Sequence, residues 1–348
     1  MAVRYPALLT LAGEIVEVKR KGRILSGIRV TGPLHLGHLV GAFRNWVRLQ
    51  DEYECFYMVA DYHGYMSEYA DSSEMARYSK ECVADWVALG LDPERSTLFV
   101  QSHVPEHAEL HLLLSAITPL GWLERCPTYK EALEQSQKDI RNYAFLGYPV
   151  LQAADIILYK ATAVPVGEDQ LPHLELTREI VRRFHSLYGV EIFPEPQALL
   201  SEVPRLLGLD RRKMSKSYGN YIALADDPET IRTKVMSMIT DPERIRKTDP
   251  GRPDYCNVHA YYRVFAPDVA DEVDEGCRAA AFGCTDCKAR LAEILVEYLK
   301  PIREKREALL AERGKVEAIL RRGKEKASAV AGSTMEEVWK ATHFLRPV

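Results

Sequence analysis

The chain of 348 residues lacks what a membrane-bound or exported protein would carry. No window of about eighteen apolar residues occurs, so no segment reads as a transmembrane helix. The opening stretch MAVRYPALLTLAGEIVEVKRKG is only briefly apolar, broken by Pro6 and Gly13. It has no ordered sequence of charged, apolar and small-residue regions, which argues against a secretory signal and for a cytosolic location. A strong excess of charge is missing too: the net value is −4. That balance does not advertise a nucleic-acid partner, yet binding needs only a local basic surface. Internal repeats and low-complexity linkers are absent. Neither a G-x-G-x-x-G turn nor a Walker loop occurs, so the two commonest nucleotide fingerprints do not apply.

What is present is an ordinary globular composition, 47% hydrophobic and 28% charged, with length for about two domains and a substantial core. RILSGIRV (23–30), CFYMVAD (55–61) and STLFVQS (96–102) read as buried strands. LGHLVGAFRNWVRLQ and SSEMARYSKECVADWVALG repeat apolar residues at helical spacing, the second ending at Gly90. A short strand AVPVG (163–167) and a helix DQLPHLELTREIVRRFHSLYG, with Pro172 in its first turn, follow. The alternation predicts an α/β fold, a Rossmann-like parallel sheet with covering helices. Beyond about 225 the pattern is helical. The expected organisation is an extension over 1–22, a catalytic domain over 23–220 with a connecting insertion near 104–147, and a helical C-terminal domain over 221–348. Within the last, Lys300–Lys326 holds ten Lys or Arg against five Glu, a basic stretch that also suits a solvated helix face.

Seven cysteines in a reducing compartment point to metal or redox chemistry rather than a disulfide framework. Four of them, Cys256, Cys277, Cys284 and Cys287, fall within 32 residues as C-x20-C-x6-C-x2-C. Such a set can hold Zn(II) or an iron–sulfur cluster, and spacing does not separate the two. Cys55, Cys82 and Cys126 sit in apolar or helical surroundings and read as core residues.

The first strand runs into TGPLHLGHLVG at the carboxyl edge of the sheet, where ligands of open α/β folds bind. His35 and His38 flank Gly37 at a helix start, whose free N–H groups and dipole favour phosphate. Two imidazoles there can donate to phosphoryl oxygens as charge builds, and glycine lets a flat base approach the backbone. Downstream, DRRKMSKSYGN (210–220) puts Lys213, Lys216, Ser215 and Ser217 on one short loop suited to clamping an anion.

H-x-G-H after a first strand, paired with K-M-S-K-S, resembles the class I aminoacyl-tRNA synthetases. YPVLQAADIILY (148–159) and VPVGEDQLPHLELTREIVRRF (164–184) narrow the resemblance to tryptophanyl-tRNA synthetases, closely over about 24–250 and loosely in the C-terminal helices. The resemblance implies ATP and Mg2+ as cofactors, tRNA(Trp) and tryptophan as partners, and a homodimer. It implies that His35, His38, Lys213 and Lys216 are catalytic. It places Thr31, Gly32, Gly37, Asp169, Met214, Ser215 and Ser217 at ATP. Tryptophan would meet Leu25, Arg29, His63, Gln152, Asp155, Gly167 and Gln170, with Gln170 on the ammonium group and His63 lining the indole pocket. A carboxylate such as Asp155 in an apolar helix needs a partner, and the indole N–H is a donor with no acceptor to offer. Arg29 and Gln152 depart from residues common in the family, glutamine and methionine respectively. Ala132 stands where some members have a lysine two places after Lys130, leaving Lys138 or Arg141 for that phosphate contact. A subset of the family carries a [4Fe–4S] cluster on a C-terminal motif resembling this one, the first interval here being slightly short. Two alternatives remain at this level, a tyrosyl-tRNA synthetase and a non-catalytic synthetase-like tRNA-binding protein. Leu25, where the tyrosine enzymes usually place a tyrosine, disfavours the first; intact motifs disfavour the second.

Overall fold

The computed structural model describes residues 8–9, 15–16, 20–126, 129, 140–200, 206–216 and 218–345. Lys130, Ala132, Lys138 and Ser217, singled out above, lie outside the described residues. Within the N-terminal extension, β1 (Leu8–Leu9) pairs antiparallel with β2 (Ile15–Val16).

Five parallel strands form the main sheet: β3 (Arg23–Arg29), β4 (Glu54–Ala60), β5 (Ser96–Val100), β6 (Ala163–Val166) and β7 (Gln197–Leu200). Their spatial order is β5-β4-β3-β6-β7. The chain thus builds outward from β3 on one side, then returns to lay β6 on the other. The carboxyl ends of β3 and β6 mark the reversal of winding, the crevice where such folds bind ligands. Register is fixed along the whole of β3, from Arg23 opposite Glu54 to Arg29 opposite Ala60, and the first pair is tied by an ion pair of 2.8 Å.

Side chains alternate between two faces, as a pleated strand requires. Ile24 and Tyr57 enter a core with Phe43, Trp46, Trp86 and Leu295. Leu25 and Phe56 enter a second core with Phe99, Ile157, Tyr159 and Phe184. β7 escaped sequence reading because QALL follows Pro194 and Pro196 and is only four residues long.

Element ends differ from the expected ones at the carboxyl edge. The second strand stops at Ala60 and the third at Val100; Asp61 opens a helix and Gln101–His103 form a 3-10 turn. The cause is the Asp61 carboxylate, which accepts from the amides of Tyr62 and Ser102 and from the Ser102 hydroxyl. The helix expected from Asp169 begins at Leu171, preceded by a 3-10 turn Glu168–Gln170. After the glycine turn, Leu36–His38 is helical, Leu39–Phe43 widens into a π-helical turn and Arg44–Leu49 resumes the α-helix.

The C-terminal helices fold back onto the sheet. Helix Cys284–Ala311 crosses helix Met75–Ala88, and Arg306 reaches Asp85 at 2.7 Å and Glu81 at 2.9 Å. Burial pushes the Asp85 carboxyl up to about 7, with Arg306 opposing it. Helix Lys315–Thr342 packs on β5 so closely that a Cβ at Gly323 would overlap the Leu98 carbonyl. Among the described residues, no helix is long and apolar enough to cross a membrane.

Candidate active site

Both anion-binding stretches meet at the carboxyl end of β3. Leu36 and Leu224 donate backbone hydrogen bonds to Ile222 and Leu34 respectively, so the H-x-G-H turn is stitched to the segment after the K-M-S-K-S loop. The Lys216 ammonium donates to the Gly32 carbonyl at 2.8 Å. The Gly37 amide meets the Met214 sulfur at 3.2 Å. Any side chain at Gly37 would crowd the His35 ring and Met214, both 3.0 Å from an added Cβ. Asn220, buried behind the loop, accepts from the Ser215 amide and donates to Asp210 and the Lys213 carbonyl. Lys213 itself is exposed, as are Arg29 at the end of β3 and Asp169 beyond β6. Thr31 and Gly32 line the turn between β3 and the histidines, half-buried.

This end is desolvated and incompletely bonded. The His35 and His38 rings lie 3.7 Å apart, and the buried Nδ1 of His35 has no partner among the described residues. Burial, helped by Lys216, holds His35 down to about 3, and burial with its neighbours holds His38 well below the ordinary imidazole value. Both are neutral near pH 7, so they serve as hydrogen-bonding groups rather than cations. Burial also lowers Lys216 to about 8, and Arg29 pushes in the same direction. A charged polyphosphate would reverse those penalties.

The amino-acid side is different. Asp155, on helix Tyr143–Leu158, is 1% exposed. A carboxylate in an apolar helix needs partners, and three protein donors supply them. Gln101 Nε2 and His107 Nδ1 reach Oδ1 at 2.8 and 2.7 Å, and His63 Nε2 reaches Oδ2 at 2.9 Å. Burial pushes this carboxyl up, but the bonds from His107 and His63 prevail and hold it at about 2. Leu25 is buried in the core on the same side of the sheet, and Gln152 sits one turn before Asp155, half-buried. At the mouth, Gln170 donates to Asp169 at 3.0 Å and accepts from His173 Nδ1 at 3.0 Å. His173 in turn lies 2.6 Å from the Tyr148 hydroxyl. Gly167 precedes this turn and accepts from the Gln170 amide.

The structure therefore gathers His35, His38, Met214 and Lys216 at one end of the crevice, and His63 with Asp155 at the other, leaving Lys213 outward. Sequence reading missed Gln101, His107, Tyr148, His173 and Asn220. The signal for Gln101 was available: a polar residue directly following a buried parallel strand lies at the ligand-binding edge.

The four C-terminal cysteines line one small pocket with Arg244, Val258 and Phe282. They ring it rather than meet at a point: among the described residues, no three His, Cys, Asp or Glu side chains converge to hold one metal ion.

A parallel sheet with a winding reversal at β3, an H-x-G-H helix start and a K-M-S-K-S loop closing on it define a class I aminoacyl-tRNA synthetase. The family model described as tRNA synthetases class I (W and Y) matches residues 17–300. The tryptophan–tRNA ligase of Thermotoga maritima is 50% identical over 329 residues, covering 93% of this chain and 99% of the relative. That of Aquifex aeolicus is 44% identical over 394 residues, covering 92% and 100%. The Campylobacter jejuni tryptophanyl-tRNA synthetase, solved with ADP and tryptophan, superposes with a TM-score of 0.85 at 32% identity, covering 92% and 100%. The chain belongs to the tryptophanyl-tRNA synthetase family.

Proposed function

We propose the following residue roles for this aminoacyl-tRNA ligase, which joins tryptophan to tRNA(Trp) at the expense of ATP. The tryptophan carboxylate attacks the α-phosphate in line, forming tryptophanyl-adenylate and releasing pyrophosphate; a 3′-terminal ribose hydroxyl of the tRNA then attacks the acyl carbon, forming the ester and releasing AMP. Catalysis is positioning and charge stabilisation, with no covalent enzyme intermediate. His35 and His38 donate to phosphoryl oxygens. Lys216 and Lys213 follow the departing pyrophosphate, with Mg2+ sharing its charge. Thr31, Gly32, Gly37, Asp169, Met214, Ser215 and Ser217 bind the rest of ATP. Asp155 accepts the indole N–H, Leu25 and His63 wall the ring, and Gln170 with Gly167, Gln152 and Arg29 surrounds the amino-acid head. The observation that carries this reading is the Lys216–Gly32 contact beside the unpartnered His35, which joins both motifs at one desolvated anion site. Lys216→Ala should lower tryptophan-dependent ATP–pyrophosphate exchange by orders of magnitude in a folded protein; near-normal exchange overturns the assignment.

Cys256, Cys277, Cys284 and Cys287 are assigned to a [4Fe–4S] cluster. Support comes from the cavity they share, since a cluster fills space between thiolates whereas Zn(II) draws four sulfurs to about 2.3 Å from one point. Arg244 Nη1 lies 3.6 Å from Cys277 Sγ, a cation suited to an anionic cluster. When bound, the cluster would cross-link the segments around it within a tRNA anticodon-binding domain over 221–348. Exposed Leu112, Leu120 and Tyr143 supply an apolar surface for the homodimer.

A further inference from the structure

The hydrogen bonds around Asp155 do more than satisfy a buried charge. Its carboxylate only accepts, so His107 Nδ1, 2.7 Å from Oδ1, carries a proton. In the neutral ring Nε2 is then an acceptor, and its partner at 2.8 Å is the Tyr159 hydroxyl. With the ring neutral, donation runs from Tyr159 O–H to His107 Nε2 and from His107 Nδ1–H to Asp155 Oδ1. His107 is 0% exposed, as is Tyr159, and its ring stacks on Phe99. Burial and this packing restrict its rotation. Gln101, also 0% exposed, adds a second donor to Oδ1. Oδ1 takes two donors on the inner side, whereas among the described residues Oδ2 receives His63 alone and keeps one lone pair.

We propose that His107, held between Tyr159 and Asp155, is a positioning residue for tryptophan selection: it anchors Asp155 through Oδ1 so that Oδ2 is presented to the indole N–H. The proposal rests on the reading that Asp155 accepts that N–H. Asp155 is a fixed single acceptor, matched to a ring that offers one donor and no acceptor. A phenol hydroxyl can donate to the same oxygen, but its own lone pairs would then be left without a donor in this buried site.

The test compares tryptophan with the analogue in which sulfur replaces the indole N–H, using ATP–pyrophosphate exchange. The quantity read is the ratio of kcat/KM for the two. His107→Leu should lower the ratio about tenfold, the scale of one charge-assisted hydrogen bond, through a higher KM for tryptophan with the KM for ATP unmoved. His107→Asn, which keeps a donor near the Nδ1 position, should restore most of it. Tyr159→Phe should lower it about threefold, because the ring loses the hydrogen bond that holds its far side. Should His107→Leu fail to fold, His107→Asn and Tyr159→Phe carry the test, together with 15N shifts of the His107 ring in the wild type. A proton on Nε2 and none on Nδ1 overturns the proposal. Asp155→Asn separates the two levels. If it collapses the ratio while folded His107→Leu and Tyr159→Phe do not, Asp155 reads the indole and the relay is packing only. If Asp155→Asn leaves the ratio intact, the reading of Asp155 fails and the proposal with it.

Discussion

The two ends of the crevice satisfy their polar groups in opposite ways. At the indole end, Asp155 already has three donors, and Gln170 is held by a buried imidazole. At the other end, His35 Nδ1 is buried without a partner among the described residues, and Lys216, which donates to the Gly32 carbonyl, is lowered to about 8 by burial. One end is already hydrogen-bonded by the protein; the other is less so. The difference suits the task. Selection needs an acceptor that cannot adapt to the wrong ring, whereas catalysis needs groups whose interactions strengthen as charge moves.

Substitutions at each end should therefore read out differently. Lys216→Ala should cut exchange about 100- to 1,000-fold, as loss of a charge-stabilising group does, while leaving the tryptophan KM within a few-fold. An equal rise in that KM would blur the distinction between the ends. Asp155→Asn should lower kcat/KM for tryptophan about 10- to 100-fold and leave the ATP KM unchanged. Cys287→Ser tests a third region. Aminoacylation should fall about tenfold while exchange is largely spared, and a folded variant equally disabled in both steps contradicts this division.

Acid should reach the phosphate end first. His35 is held at about 3 against an ordinary 6.5, so the unfolded chain takes up the proton at higher pH. Its contribution is present above about 6.5 and is lost as pH falls toward 3. Asp155, held at about 2 against 3.8, keeps its contribution to lower pH and loses it between those values. In Tm scans from pH 7 to 4, His35→Gln should show a shallower acid slope than the wild type. An unchanged slope would show that His35 does not carry it.

Much of this contrast was legible in the sequence, but unevenly. H-x-G-H and K-M-S-K-S announced the phosphate end, because their residue types have few other uses at such spacing. Sheet and helices followed from periodicity, apart from the short β7. The relays were invisible, because His107 and His173 join Asp155 and Gln170 to tyrosines through contacts set by tertiary packing alone. Their stretches read as insertion and helix face. Gly323 was equally silent: only the approach of Leu98 explains it, and Gly323→Val should destabilise the fold by about 3 kcal/mol or more.

The contrast between the ends is tested most directly by amide hydrogen exchange of the wild-type protein, measured free, with tryptophan, and with tryptophan plus a non-hydrolysable ATP analogue. Peptides carrying Gln101, His107 and Asp155 should be protected in the free protein and change little with tryptophan. Those carrying Met214 and Lys216 should gain protection only with the nucleotide. Strong protection of the lysine loop in the free protein, with the Asp155 network ordering only on tryptophan binding, would contradict the account.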